Sequence, residues 1–397
     1  MSERNIITIP VTGRIDSYTS SGLQTKVDAA LAQHPDGIIF DFDSAAYISS
    51  AGLRVLLNAK KTCGKTMTMK VINVPLDIRN IFDMTGFSAI MDVEDKFRQV
   101  NVDGCPMIGA GACGECYRLD DETIIKLYYD RISDDTIAEE KRLAKLAFVL
   151  GIPTAISYDI VKVGTRKGVI YELIKAKTLS EIIRADYSKL EEYTKQYAEF
   201  CRAIHSTVCT GQNLPDFREV NRADIANIRG ITAEEAAALN EFLDFVPDGN
   251  TCLHGDLNPN NIMLENGSLC LIDMGEFSRG FAMFDVSRIM FSLHFANGRS
   301  GTMNDFMKMP CDEVDRIWNC FVKYYFSADT LEEAAKTNPA AAWVEPLGMW
   351  RCVASMLKGT RWPEERRQQA LGYLHEKLLP LVQQLKENGG DITKVQY

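Results

Sequence analysis

Between two stretches of helical periodicity lies a segment that no helix accommodates. It runs Leu253-His254-Gly255-Asp256-Leu257-Asn258-Pro259-Asn260-Asn261-Ile262-Met263 and continues to Leu271-Ile272-Asp273-Met274-Gly275. Gly255 and Pro259 break helical geometry, and the short apolar runs around them read as buried strands. Two carboxylates and an amide, Asp256, Asn261 and Asp273, are thereby set on loops at strand ends. Oxygen donors of this kind suit Mg²⁺, a hard ion that keeps several waters. A loop carboxylate outside the metal shell can accept a proton from a hydroxyl. We therefore assign Asp256 to proton acceptance, Asn261 and Asp273 to the metal, and His254 to bracing the loop.

Phosphoryl transfer also needs donors around the phosphates, and the upstream sequence offers them. Gly109-Ala110-Gly111-Ala112-Cys113-Gly114 fits G-x-G-x-x-G, a loop whose backbone N–H groups approach phosphate oxygens without Cβ clashes. The same pattern serves dinucleotide binding when a helix follows it. Here Glu115 to Leu119, a turn at Asp120-Asp121, and Thr123 to Leu127 follow, which reads as a hairpin. Lys126 sits among isoleucines in mid-strand, and a buried lysine requires a partner. Lys126 is thus expected at the phosphates, paired with Glu139 or Glu140 on the next helix. Glu140 shares a helical stripe with Leu143 and Leu146 and is preferred.

The chain has 397 residues, 46% hydrophobic and 25% charged, which suits two or three globular domains. No apolar run is long enough to span a bilayer. The start, Met1 to Asn5, carries no signal-peptide core, so a soluble, cytoplasmic protein is expected. Residues 1–100 hold 11 basic and 11 acidic side chains, so the formal net charge of −10 lies wholly in the remainder. That distribution argues against a nucleic-acid surface. The 11 cysteines are expected as reduced thiols. Cys113-x-x-Cys116 has no second pair to complete a zinc site.

The first part alternates strands and helices. Strands are expected over Ile6–Val11, with Gly13 as a turn, over Ile38–Phe42, and over Met67–Val74. Helices are expected over Ser20–Ala32, Ser50–Lys61 and from Pro75 to Gly86. This order implies a small α/β layer fold. Asp95 to Asp103 is polar, with Gly104 and Pro106 following, so a linker is placed at 97–104. Beyond it come the hairpin, a helix over Thr136–Leu150, a buried strand over Val169–Ile174, and mostly helices from Leu179 onward. The division is therefore 1–96, a linker, and 105–397, the latter with a smaller lobe to about 175 and a mainly helical lobe after it.

With these residues in view, the second part resembles the aminoglycoside phosphotransferase and choline kinase branch of the protein-kinase-like superfamily, over about residues 104–390. The resemblance implies a bilobal α+β fold and ATP with Mg²⁺ as cofactors. It makes Asp256 the catalytic residue, Asn261 and Asp273 metal ligands, and Lys126 the strand lysine. Val169 to Ile174 then corresponds to the hinge between lobes, with adenine near Glu172 and Ile174. Only Glu276 to Phe284 separate Met274-Gly275 from Asp285. No activation segment ending in A-P-E fits there, which favours a small-molecule kinase over a regulated protein kinase.

The first part, about residues 3–96, resembles the STAS domain of bacterial anti-sigma-factor antagonists through Ile48-Ser49-Ser50-Ala51-Gly52-Leu53-Arg54-Val55-Leu56-Leu57. Ser49 and Ser50 sit where a helix begins, a place for an N-cap and also favourable to a phosphate. The resemblance implies Ser50 as a regulatory phosphosite and an anti-sigma-type protein partner. Family members often carry aspartate where this chain has Ser49. Two functional expectations follow. One is phosphoryl transfer to a hydroxyl of a small molecule. The other is a regulatory switch whose kinase-like part senses nucleotide or modifies Ser50.

Overall fold

The computed structural model describes residues 5–64, 66–209, 213–295, 302–358 and 362–395. Met1 to Arg4, on which the reading of the chain start rests, lie outside the described residues. Among the described residues no helix is long and apolar enough to cross a membrane. The chain divides into two compact units. One is Met1–Asn101 with Ile160–Thr165, and the other is Val102–Asp159 with Arg166–Tyr397.

The first unit has the expected α/β order: β1 (Ile6–Ile15), α1 (Ser20–Leu31), β2 (Gly37–Ile48), α2 (Ser50–Cys63), β3 (Thr68–Val74), α3 (Leu76–Met84) and β4 (Asp92–Asp95). The four strands form a parallel sheet in the order β1-β2-β3-β4. Gly13 does not end β1. It takes φ +68° inside the strand, beside a register shift against β2, so the glycine accommodates a bulge where a turn was expected. β4 was not expected. Its sequence is three acids and one valine, and it joins the sheet through Lys70↔Asp92 and Val71↔Val93. Arg79 holds Asp95 at 2.9 Å and Lys70 holds Glu94 at 3.0 Å. A two-residue strand, β5 (Arg98–Gln99), follows.

α2 starts where the hydroxyl of Ser49 accepts the N–H of Ala51 at 3.2 Å, an N-cap. Gly52 is required by packing. A Cβ there would lie 2.7 Å from methyl or methylene carbons of both Ile15 and Ile48. Leu56 of α2 and Phe40 of β2 are fully buried, and Phe42 meets Phe82 edge-on at 5.8 Å.

The smaller lobe of the second unit contains β6 (Met107–Ala110), β7 (Gly114–Arg118), β8 (Thr123–Tyr128), α4 (Asp134–Val149), the start of β9 (Ser157–Val163), whose residues from Ile160 onward fall in the first unit, and β10 (Arg166–Glu172). Its strands lie in the order β9-β10-β8-β7-β6. α4 begins two residues earlier than the periodicity suggests. Ser133 caps it by accepting the N–H of Thr136, and Asp134 and Asp135 favour its positive end. β10 stops at Glu172, short of the expected Ile174. The Glu172 carboxylate accepts the N–H of Ile156, and Leu173 donates to the Glu122 carbonyl, so the chain leaves the ladder.

The larger lobe is helical around one apolar core. β11 (Lys177–Thr178), α5 (Leu179–Ala185), α6 (Leu190–Ser206), α7 (Phe217–Ile225) and α8 (Ala233–Phe245) precede the strand segment. That segment is β12 (Thr251–Leu253), β13 (Ile262–Glu265), β14 (Ser268–Leu271) and β15 (Ser278–Gly280). α9 (Met283–Met290), α10 (Cys311–Phe326), α11 (Leu331–Thr337) and α12 (Val344–Leu357) follow. α12 is buried along most of its length, and its Trp350 donates from Nε1 to the buried Asn221 of α7 at 2.9 Å.

Candidate active site

Strand alternation sets Lys126 opposite in facing to Ile125 and Leu127, which are buried in the core. α4 crosses that face and presents Glu140, which is itself buried. Lys126 Nζ lies 2.7 Å from Glu140 Oε1 and 2.8 Å from Asp273 Oδ1. The hydroxyl of Tyr171 also reaches Glu140, at 3.3 Å. Burial pulls the Lys126 ammonium toward deprotonation, but the carboxylates of Asp273 and Glu140 outweigh it and hold its pKa above that of a free lysine. Glu139 turns the other way and pairs with Arg142 at 2.6 Å.

The loop after β12 hangs from one buried carboxylate. Asp285, at the start of α9, accepts the N–H of His254 at 2.7 Å and that of Gly255 at 2.8 Å. His205 Nε2 lies 3.2 Å from the same carboxylate. His254 is fully buried. Its Nε2 faces the carbonyl of Ile272 at 3.0 Å and therefore carries the proton, leaving Nδ1 to accept the N–H of Asp256 at 3.2 Å. Gly255 takes φ +82°, and a Cβ there would lie 2.5 Å from the Cβ of Glu276. No other residue fits that point of the loop.

Asp256 is held on both oxygens. Arg288 Nε donates to Oδ1 at 3.1 Å, and Asn261 Nδ2 donates to Oδ2 at 3.0 Å and to the Asp256 carbonyl at 2.9 Å. Burial raises the pKa of this carboxyl, but the charge of Arg288 leads a set of opposing contacts that bring it below the ordinary aspartate value. Asn261 sits in a 3₁₀ turn, Pro259–Asn261, capped by Asn258. Asp273, two residues beyond β14, takes the left-handed region, φ 62° and ψ 64°, with its side chain half exposed.

The glycines of the loop divide. Gly109 lies within β6, and Gly111 donates to the carbonyl of Gly114 at 2.9 Å, which closes a tight turn between β6 and β7. A Cβ on Gly109 or Gly111 would meet nothing within 4 Å. A Cβ on Gly114 would lie 2.4 Å from the carbonyl oxygen of Leu127, so Gly114 is set by strand packing. Glu172 donates its backbone N–H to the Ile156 carbonyl at 2.9 Å, and the Ile174 carbonyl accepts from Ala176 at 2.9 Å. Cys113 and Cys116 are free thiols raised in pKa chiefly by burial. Among the described residues no group of three His, Cys, Asp or Glu side chains is arranged to hold a metal. Ser50 is the first residue of α2 in the other unit, with its side chain exposed.

The structure thus brings Lys126, Glu140 and Asp273 into one chain of ion pairs, and Asp256 and Asn261 into one loop. Three participants escaped the sequence: Asp285, Arg288 and His205. Asp285 and Arg288 share one face of α9 at a spacing of three, and this is the one signal that could have exposed them.

A family model of the phosphotransferase enzyme family matches residues 108–308, and one of the STAS domain matches residues 2–100. No curated protein sequence matches. Similar solved structures include an aminoglycoside-3'-phosphotransferase of type VIII, 14% identical over 62% of this chain and 94% of its own, with a TM-score of 0.43. Another is amicoumacin kinase in complex with AMP-PNP and Ca²⁺, 13% identical over 81% of this chain and 98% of its own, TM-score 0.45. A third is an anti-sigma factor antagonist from Mycobacterium paratuberculosis, 22% identical over 22% of this chain and 76% of its own, TM-score 0.22.

Proposed function

The chain belongs to the phosphotransferase enzyme family through residues 108–308, and from that premise we propose that it transfers the γ-phosphate of ATP to a hydroxyl group of a small molecule. The observation that carries this reading is the bridging of Lys126 between Glu140 and Asp273, at 2.7 and 2.8 Å. An ammonium held beside a half-exposed carboxylate suits phosphate oxygens and a cation, and so supports this reading.

In this reading Asp256 accepts the proton of the acceptor hydroxyl as its oxygen bonds to the γ-phosphorus. The bond from that phosphorus to the bridging oxygen breaks, and ADP leaves with the electron pair. Lys126 binds phosphate oxygens, and the turn at Gly109, Gly111 and Gly114 covers them with backbone N–H groups. The donor set fits Mg²⁺. Asn261 commits its amide nitrogen to Asp256, which turns its amide oxygen outward, and Asp273 has an exposed carboxylate. These two would hold the ion, which when bound neutralises phosphate charge. The backbone at the end of β10, at Glu172 and Ile174, would receive adenine.

A second reading rests on Ser50, exposed at the N-terminus of α2. A phosphate there would be favoured by the free N–H groups of the first turn, as in a switch that docks an anti-sigma-type partner. One experiment separates the two. The full chain is incubated with γ-labelled ATP, Mg²⁺ and cell metabolites, and the label is traced. Label on a metabolite supports the enzyme, and label on the chain that Ser50→Ala removes supports the switch. Tight ATP binding with no transfer of label sinks the proposal of a transferase.

A further inference from the structure

Two thiols meet just ahead of the loop that carries Asp256. Cys209 follows α6, and Cys252 is the middle residue of β12. Their sulfurs lie 3.1 Å apart, and both are free cysteines. Backbone bonds hold them there. Val208 pairs with Thr251 across an antiparallel bridge. Cys209 donates its N–H to the Asn250 carbonyl at 2.7 Å, and Cys252 donates its own to the Thr207 carbonyl at 2.9 Å. Alternation turns Cys209 and Cys252 to the face opposite Val208 and Thr251. A disulfide bond needs about 2 Å between its sulfurs, so an approach of about 1 Å would close one.

The two thiols are not equivalent. With Cys252 as donor, the bond between them leads the causes that hold the Cys209 thiol below the ordinary cysteine value; burial opposes it, and the charge of Arg279 assists. The same bond, together with burial, raises the Cys252 thiol. Cys209 is therefore the better thiolate and Cys252 the thiol positioned to resolve it. Access differs in the same sense. Cys252 is fully buried, whereas Cys209 is 8% exposed and stands next to the half-exposed Val208 and opposite the exposed Asn250. A molecule as small as hydrogen peroxide has only this surface segment to pass, and a local opening uncovers it.

The chain itself ties the pair to the loop. Cys252 and Leu253 are paired with Arg279 and Ser278 of β15. The next two residues, His254 and Gly255, donate their N–H groups to Asp285 at 2.7 and 2.8 Å. Drawing Cys252 toward Cys209 shifts the strand from which these two bonds hang.

We infer that Cys209 and Cys252 are a redox site that hydrogen peroxide closes into a disulfide, and that closure loosens the loop carrying Asp256. The Cys209 sulfur takes one peroxide oxygen as the O–O bond breaks, which gives a sulfenic acid and one water. The Cys252 sulfur then attacks the Cys209 sulfur, the S–O bond breaks, and a second water leaves. Both thiol hydrogens end in water; the sulfurs lose two electrons and peroxide gains them.

Peptide mapping and hydrogen exchange on the full chain test this. The reduced protein is treated with hydrogen peroxide, remaining thiols are alkylated, and the digest is read by mass spectrometry. The expected product is a Cys209–Cys252 disulfide that forms ahead of oxidation at the other cysteines and that dithiothreitol reverses. Amide exchange in the peptide spanning His254 and Gly255 is expected to run about fivefold faster in the disulfide form, as loss of one net hydrogen bond would bring. Cys209→Ser is expected to abolish the disulfide and to make that exchange indifferent to peroxide. The inference is overturned if these two cysteines stay thiols or become sulfinic acids, if another pair links first, or if the linked protein exchanges its loop amides no faster than the reduced one. The wild-type map and exchange decide the matter even should the variant fail to fold. Neither readout needs turnover, so the outcome is independent of the phosphotransferase reading.

Discussion

Arg288 and Asn261 each take one oxygen of the Asp256 carboxylate, and His254 takes its backbone N–H. Three neighbours thus fix the orientation of one acid before any ligand arrives, which is the preorganisation a proton acceptor needs. Because Arg288 lowers the Asp256 pKa, the carboxylate is charged throughout the neutral range and loses its charge only in acid. The sign is that of a depressed carboxylate: any stability from this pair is present above the unfolded aspartate pKa and fades as pH falls through the folded value. For Arg288→Met we expect the acidic limb of the kcat/KM profile to move up by about one pH unit or more. An unchanged limb would mean that Arg288 serves packing only. Lys126, Asp256, Asn261 and Asp273 were legible from residue type and spacing. Arg288 and Asp285 were not, because a charge on a helix reads as solvated until the fold shows what it faces.

At the level of elements, β7 and β8 show why the glycine motif conveys less than its regular spacing suggests. Gly114 leaves no room for a Cβ against the Leu127 carbonyl, one residue after Lys126, whereas Gly111 has open space. Gly114→Ala is expected to lower the stability of the second unit by about 1–3 kcal/mol, and Gly111→Ala to stay within about 0.5 kcal/mol. Urea unfolding followed by fluorescence checks this, and equal effects would count against the strand-packing role. The α/β order of the first unit was legible because Leu23, Val27, Phe40 and Leu56 follow the periods of buried faces. β4 was illegible because two of its three acids, Glu94 and Asp95, are paired with Lys70 and Arg79 from other elements. Gly13 misled because a bulge and a turn make the same demand for positive φ.

In the molecule as a whole, the chain joins a phosphotransferase-family domain to a STAS domain, and each unit has its own apolar core. A cavity of the larger lobe was the least legible feature, because Asp224 of α7, Glu276 after β14 and Arg351 of α12, which line it, meet only in the folded chain. Phosphoryl transfer with Asp256 as proton acceptor is tested by the Mg²⁺-dependent formation of ADP by wild type and Asp256→Asn, with AMP-PNP affinity measured on both. We expect a loss of turnover of about 10²-fold or more with nucleotide still bound by the variant. Turnover that survives Asp256→Asn would remove Asp256 from that role.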